Sequence, residues 1–292
     1  MTKPDWRYRA NWHGINFQLK IAHLGYTFYM PPPASLPQPF IPLNSPHATL
    51  ETVGGKGLNL TRLVRAGFPV PDGFLIPTSV YQEYVNHNHL EPRIQAALQG
   101  LDAASAGELT TVSEEIRALF KAGTIPPELA DALEVAWSWI GADPVAVRSS
   151  ATAEDLPELS FAGQQDTYLN VVGAEALQEA VVQCWSSLWT ARAIGYRARN
   201  GIPHEEVALA VVVQKMVPSQ ASGVLFTANP LNGLRNQVVI DATLGLGEAL
   251  VSGQVEPDHY VVYPGEGAIL QKTLGSKSVV IRGKDGGGGV AQ

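Results

Sequence analysis

One segment constrains the fold of this chain more than any other, residues 145–170. It opens with an apolar run from Val145 to Val147, which is typical of a buried strand, and Arg148 follows directly. Small and hydroxylated residues follow, and a second strand is predicted from Thr167. A guanidinium is a bidentate donor, and small residues let backbone N–H groups approach a ligand closely. The segment therefore predicts an oxyanion site, although an exposed arginine at the start of an ordinary loop fits the local pattern equally well.

The composition is that of a globular protein without a concentrated basic face. With 292 residues the chain can bury a substantial core, in one large domain or in two lobes. The net charge of −7 argues against a nucleic-acid partner, because phosphate contacts need clustered cations. No apolar run reaches the length of a membrane span, and the N-terminus lacks the apolar core of a signal peptide. We expect a cytoplasmic protein with no membrane partner, and a buried structural thiol at its single cysteine, Cys184.

The order of helical and strand patterns favours an α+β fold over a doubly wound sheet. Residues 1–45 contain several prolines and no sustained period, so they predict an irregular N-terminal extension. We assign residues 46–292 to one domain. Within it the sequence predicts a glycine turn that feeds a helix from Gly54, and one long helix over 174–200. In the strand-rich region that follows, strands are predicted over 207–217, 223–227, 237–242 and 259–263, and helices and strands are mixed without regular alternation.

The glycine turn carries a lysine, Lys56, in the sequence Gly54-Gly-Lys-Gly57. The spacing is not that of a P-loop, which needs four residues between its first glycine and the Gly-Lys pair. A lysine beside glycines at a helix N-terminus nevertheless lies where backbone donors and the helix dipole favour an anion. A solvated lysine on a turn is the alternative that the local pattern leaves open.

Polar residues in the strand-rich region give weaker signals. Gln214 follows an apolar run in a predicted strand, and it either marks an edge of the sheet or faces a polar ligand. Asp241 on a predicted strand and Glu248 on a short helix could together hold Mg²⁺, but surface acids explain both residues equally well. We therefore assign no metal ligand.

Six motifs stand in a fixed order along the chain: Val53-Gly-Gly-Lys-Gly-Leu-Asn-Leu60, Val70-Pro-Asp-Gly-Phe74, the run from Val145 to Asp155, Phe161-Ala-Gly-Gln164, Ser222-Gly-Val-Leu-Phe-Thr227 and Gly245-Leu-Gly-Glu248. Any one of them could occur by chance, but all of them in this order are specific. Together they resemble the N-terminal ATP-binding domain of the phosphoenolpyruvate synthase and pyruvate phosphate dikinase family, a domain that the rifamycin phosphotransferases share. The resemblance covers about residues 52–263.

The resemblance implies an α+β, ATP-grasp-like fold in which two lobes hold ATP between them. By motif position, Lys56 and Arg148 would be the catalytic cations that hold the ATP phosphates. Gly163 and Thr167 would contribute the loop that covers the phosphates, and Gln214 would contact the nucleotide. ATP and Mg²⁺ are the implied cofactors, and a phosphohistidine carrier domain and an acceptor domain are the implied partners.

The chain also departs from the family pattern. The family completes its ATP site with a strand glutamate and a later Gln-x-Arg segment, and no Gln-x-Arg triplet occurs in this sequence. We therefore expect a truncated chain whose domain lacks its final strands and which is inactive in isolation.

The function expected is that of an ATP-binding module of a phosphotransferase. That enzyme would pass a phosphoryl group from ATP, through a carrier histidine on a domain absent here, to pyruvate or a related acceptor. Two alternatives stay open: a module of a rifamycin-type antibiotic phosphotransferase, and a nucleotide-binding module without turnover of its own.

Overall fold

A computed structural model of the protein describes residues 8–12, 15–19, 36–152, 155–156, 159–160 and 166–292. The α-helices of this part are α1 (Leu50–Arg65), α2 (Thr78–His87), α3 (Leu90–Leu98), α4 (Ala106–Ala122), α5 (Pro127–Trp139), α6 (Ala174–Ser186), α7 (Ala191–Asn200) and α8 (Glu248–Val251). The strands are β1 (Tyr8–Trp12), β2 (Ile15–Leu19), β3 (Ile41–Pro42), β4 (Gly73–Ile76), β5 (Val145–Ala151), β6 (Asp155–Leu156), β7 (Leu159–Ser160), β8 (Thr167–Val171), β9 (Leu209–Lys215), β10 (Ala221–Phe226), β11 (Val238–Leu244), β12 (Asp258–Tyr263), β13 (Ala268–Thr273), β14 (Arg282–Gly283) and β15 (Val290–Ala291). This mixture confirms the α+β class.

The chain divides into two compact units. The large unit comprises residues 28–216 and 285–289, and the small unit comprises residues 1–27, 217–284 and 290–292.

The large unit is built on a five-stranded antiparallel sheet with the strand order β3-β4-β9-β5-β8. Side chains alternate between the two faces along each strand. One face, which includes Val147 and Val213, packs into a large core with helices α2 to α7. The other face, which includes Leu75 and Val212, packs against Val53 and the rest of α1. Both faces of the central strands are therefore covered.

The small unit is built on a four-stranded antiparallel sheet with the strand order β10-β11-β12-β13. Val239 and Val261 lie opposite one another on the two central strands and are buried. All six residues of β13 are exposed. Strands β9 to β12 agree with the strand-rich region that the sequence predicts, whereas β13 was not predicted. No helix in the described portion of the chain is long and apolar enough to cross a bilayer.

One local expectation is wrong. Residues 174–200 do not form one helix, because a 3₁₀ turn at Ser187–Trp189 follows α6 and the chain becomes extended at Thr190. The Thr190 side chain accepts a hydrogen bond from the Ala193 N–H and so caps a new helix, α7. Among the described residues of the N-terminal region, β1 and β2 pair as an antiparallel hairpin, and the irregular character of the extension as a whole stays a prediction.

The predicted boundary at residue 45 lies after residues that already belong to the large unit. Strand β3 pairs with β4, and the side chains of Phe40 and Leu43 on either side of it are buried. Cys184 is also fully buried, as predicted. Burial, reinforced by the nearby Asp166, raises the pKa of its thiol, which makes this cysteine a poor nucleophile.

Candidate functional site

Arg148 lies on β5, inside the five-stranded sheet, and is partly buried. Its neighbours across the strands are Val212 on β9 and Thr167 on β8. Residues directly opposite one another in an antiparallel pair share a face of the sheet. Because Val212 packs on the α1 face, Arg148 and the exposed Thr167 lie on that face too. Arg148 is therefore a strand residue in the interior of the sheet rather than an exposed residue of a loop.

Gln214 lies on the same face of the sheet, two residues after Val212 on β9. Strand β9 is flanked by β4 and β5, so Gln214 does not mark a sheet edge. Its side chain is 6% exposed, and its Nε2 donates a hydrogen bond to the Pro71 carbonyl oxygen at 3.1 Å. Gly73 lies directly across on β4, where a Cβ would come within 2.3 Å of the Val213 carbonyl oxygen. The close approach of these strands holds the Gln214 amide against the loop that precedes β4.

Helix α1 carries Lys56 and is broken at Gly54, where φ is 66° and ψ is 177°. Thr49 and Thr52 form a capping box at the start of the helix, and the helical conformation resumes after the break over residues 55–65. Lys56 is partly buried and lies in the first turn of this second stretch. The sequence predicts a glycine turn that feeds a helix from Gly54, whereas the helix already begins at Leu50 and Gly54 breaks it, which leaves Lys56 in the first turn after the break.

Ser150 connects the strand of Arg148 to the turn of Lys56. Its hydroxyl donates to the Val53 carbonyl oxygen at 2.7 Å and accepts from the Gly57 N–H at 3.1 Å. A Cβ at Gly54 would lie 2.2 Å from the Ser150 carbonyl oxygen, so only glycine allows this approach. Ser150 is not among the site residues predicted from the sequence. The signal that could have found it is a hydroxyl two residues after Arg148, on the same face of a buried strand.

Ser149 anchors the other side of the site, because it points to the opposite face of β5. Its hydroxyl donates to the Asp166 carbonyl oxygen at 3.0 Å. The Asp166 carboxylate accepts a hydrogen bond from the Tyr168 hydroxyl at 3.0 Å and lies 3.6 Å from the Arg117 guanidinium. Burial, together with the Asp166 carboxylate, raises the pKa of the Tyr168 hydroxyl. These contacts fix the start of β8 and with it the position of Thr167.

Gly163 belongs to the Phe161-Ala-Gly-Gln164 motif and lies outside the described residues. Of the five residues assigned to the site from the sequence, the structure thus brings four onto one face of one sheet or onto the helix that covers it: Lys56, Arg148, Thr167 and Gln214.

The acidic residues considered for a metal site lie in the small unit. Asp241 and His259 face each other across the β11–β12 pair. The Oδ1 of Asp241 is hydrogen-bonded to the Nδ1 of His259 at 2.7 Å. Glu248 is the first residue of the short helix α8. Within the described ranges, no three His, Cys, Asp or Glu side chains come together to hold a metal ion.

Comparison with known proteins agrees with the motifs. The family of the pyruvate phosphate dikinase AMP/ATP-binding domain matches residues 50–292. A probable phosphoenolpyruvate synthase of Methanothermobacter thermautotrophicus is 44% identical over 239 residues, which are 80% of this chain and 35% of that protein. The phosphoenolpyruvate synthase of Pyrococcus furiosus is 42% identical, over 81% of this chain and 34% of that protein.

A relative of another kind matches equally well. The rifampicin phosphotransferase of Bacillus cereus is 44% identical over 81% of this chain and 27% of that protein. This chain spans about a third of the length of the curated relatives that it matches. With the family match over more than four-fifths of its residues, the chain belongs to the pyruvate phosphate dikinase AMP/ATP-binding domain family.

Proposed function

We propose that this chain is the ATP-binding module of a phosphotransferase, and that ATP binds on the α1 face of the five-stranded sheet. The observation that carries the proposal is the placement of two cations, Lys56 on α1 and Arg148 on β5. Hydrogen bonds of the Ser150 hydroxyl join these two elements directly. Thr167 and Gln214 share the face with Arg148. The ATP-grasp-like character of the fold is part of this proposal.

Each proposed role follows from the chemistry of the residue. The guanidinium of Arg148 can donate two parallel hydrogen bonds to a phosphate, and Lys56 adds a point charge at a helix N-terminus that already favours anions. Gly163 and Thr167 would contribute the loop over the phosphates, and the Gln214 amide would contact the nucleotide. In phosphoryl transfer most of the catalysis is charge stabilisation and positioning, and these groups supply both.

Mg²⁺ is proposed as the ion that accompanies ATP, because Mg²⁺ is commonly bound by substrate phosphates together with one or two carboxylates. The described residues gather no cluster of three metal-ligating side chains. No step of the mechanism is therefore assigned to an ion held by this chain.

The acceptor of the phosphoryl group is proposed by analogy with the relatives. Relatives named phosphoenolpyruvate synthase and rifampicin phosphotransferase match this chain at the same identity, 44%. The acceptor is therefore a property of other domains, and we propose transfer through a carrier histidine on such a domain to pyruvate, a related acid or an antibiotic. This chain alone would bind ATP without turnover. A single buried cysteine fits a reducing compartment, so we place the protein in the cytoplasm.

Calorimetric titration with a non-hydrolysable ATP analogue tests the site. Lys56→Ala should weaken binding by roughly tenfold to a hundredfold, because a charged hydrogen bond contributes about 1.5–3 kcal/mol. Arg65→Ala is the matched control, since it removes an exposed cation from the last turn of the same helix. Equal weakening by both variants would mean that net charge, and not this site, attracts the nucleotide. Binding unchanged in Lys56→Ala would remove the lysine from the site.

A further inference from the structure

We infer that Ser150 is a positioning residue of the nucleotide site, which sets the place of Lys56 relative to Arg148. The inference rests on the proposed function, because it concerns how the two proposed phosphate ligands are held. Ser150 itself is fully buried, at 0% exposure, and so acts through its neighbours.

The break in α1 creates the need for such a residue. At Gly54 the backbone leaves the helical conformation, so the groups on either side of the break lose their partners within the helix. An unpaired N–H or C=O that is buried costs free energy comparable to a lost hydrogen bond. The Ser150 hydroxyl serves both sides of the break, since it donates to the Val53 carbonyl oxygen and accepts from the Gly57 N–H.

This arrangement is a helix cap supplied from another element. An N-cap side chain normally accepts a hydrogen bond from the second or third N–H of the helix that follows it. Gly54 stands at that position and has no side chain, and Gly57 is the third residue of the helical stretch that resumes at 55. Ser150, which is 93 residues away from Gly57 in the sequence, provides the missing oxygen from β5.

The cap has a consequence for the site. Arg148 lies two residues before Ser150 on the same face of β5, and Lys56 immediately precedes the capped Gly57. One hydroxyl therefore ties the strand that carries one cation to the turn that carries the other. The two elements are closely packed at this point, because Gly54 lies against the Ser150 backbone at a distance that excludes a Cβ. Catalysis by positioning is sensitive to shifts of about 1 Å. Loss of this contact should therefore weaken the binding of the ATP phosphates by Lys56 and Arg148.

The test is a double-mutant cycle of nucleotide binding with the full chain. We would measure the affinities for ATP and for adenosine of the wild type, Ser150→Ala, Lys56→Ala and the double variant. If Ser150 acts through Lys56, Ser150→Ala should weaken ATP binding by on the order of tenfold while adenosine binding changes little. In the Lys56→Ala background, Ser150→Ala should lower the ATP affinity less than about twofold, because the lysine through which Ser150 acts is already removed.

Ser187→Ala is the matched control, since Ser187 is also fully buried and its hydroxyl donates to the Cys184 carbonyl oxygen at 2.7 Å, on α6. It should leave the ratio of ATP to adenosine affinity unchanged. Circular dichroism reports whether each variant is folded. If Ser150→Ala does not fold, Ser150→Gly replaces it in the cycle, because it also removes the hydroxyl and adds no bulk to the contact with Gly54.

The inference is overturned if a folded Ser150 variant keeps the wild-type ratio of ATP to adenosine affinity, or if its effect adds fully to that of Lys56→Ala. A failure of the proposed function gives a different result, namely a wild type that binds ATP no better than adenosine.

Discussion

The sheets of the two units differ in how their faces are covered. The difference shows in which strands a polar residue points to a functional site. Six of the seven residues of β5 and six of the seven of β9 are buried, because helices cover both faces of the large sheet. In the small unit no residue of β10 is buried, four of its six residues are exposed, and β13 is exposed throughout. A polar residue in a doubly covered strand is costly unless it has a partner or a task, whereas one on an open strand is ordinary.

The polar residues of β5 and β9 fit this rule. Ser149, Ser150 and Gln214 are each buried and each hydrogen-bonded, and all lie next to or on the face of the proposed site. The small sheet follows the rule less closely: the pair of Asp241 and His259 satisfies itself locally, whereas the Thr243 hydroxyl on β11 is buried and has no hydrogen-bond partner among the described residues. The proposed chemistry therefore resides in the doubly covered sheet, and three predictions test this contrast.

The largest effect should come from core truncation, compared between the units with one residue type. Ile116 is fully buried on α4 and Ile269 is 59% exposed on β13. Ile116→Ala should lower the free energy of unfolding by about 2–5 kcal/mol, because it removes buried methyl groups and leaves a cavity. Ile269→Ala should change it by less than about 0.5 kcal/mol. Urea denaturation followed by tryptophan fluorescence measures both, and equal losses would contradict the contrast.

A smaller effect should separate two glycines that share a positive φ but differ in ψ, which is 177° at Gly54 and 29° at Gly201. Gly54 has φ +66°, with the Ser150 backbone where its Cβ would be, and Gly201 has φ +64° with open space around it. Alanine at Gly201 incurs the cost of the left-handed helical conformation, whereas alanine at Gly54 would have to adopt a conformation that is essentially restricted to glycine. Gly54→Ala should cost about 1–3 kcal/mol more in unfolding free energy, because it also overpacks the contact with β5.

Gly54→Ala should in addition weaken ATP binding, whereas Gly201→Ala should leave it unchanged. If the two variants are equally stable and bind ATP alike, then the tight contact between the α1 turn and β5 does not exist in solution.

The smallest effect should be a pH dependence of stability in the large unit. The His204 Nδ1 accepts a hydrogen bond from the Nε of the buried Arg197 at 2.9 Å, so this ring must be neutral to make it. Burial, and then the Arg197 charge, lower the pKa of His204, while Glu205 opposes the shift. The folded state thus takes up the proton at a lower pH than the unfolded state. The stability that neutral His204 contributes is fully present at pH values above the ordinary pKa of histidine. It is lost as the pH falls below that value and through the lowered pKa of the folded state.

Urea unfolding at a series of pH values between 5 and 8 measures this dependence. His204→Gln should flatten it, because an amide oxygen can accept from Arg197 at any pH in the range. His87→Gln, at an exposed position on α2, is the control and should leave the slope as it is in the wild type. A slope that persists in His204→Gln would assign the dependence to another group.

The sequence predicted the elements better than their arrangement. The apolar runs of β5 and β9 and the glycine turn before Lys56 are local patterns, and they were found. Strand β13 was missed because its six residues are all exposed and no buried face imposes a period on them. The break at Thr190 was missed because apolar and aromatic residues continue through the 3₁₀ turn, so the helical pattern hides a capping residue.

The candidate site shows the same limit. Lys56, Arg148, Thr167 and Gln214 could each be named from motifs, but their common face follows from the strand order β3-β4-β9-β5-β8, which no local pattern encodes. The place of Ser150 on the face of Arg148 can be found from the strand alternation, but its role could not be assigned, because its two partners lie 97 and 93 residues away in the sequence. Long-range hydrogen bonds of this kind are visible only once the register of the strands is known.

The most direct test of the central claim is the affinity of the chain for adenosine, AMP, ADP and ATP, measured for the wild type and for Arg148→Ala. If Arg148 and Lys56 bind the polyphosphate, wild-type affinity should rise along this series. The Arg148→Ala variant should then lose roughly tenfold to a hundredfold for ATP and almost nothing for adenosine. A variant that keeps the wild-type preference for ATP over adenosine would contradict the account, since the phosphates would then be held elsewhere.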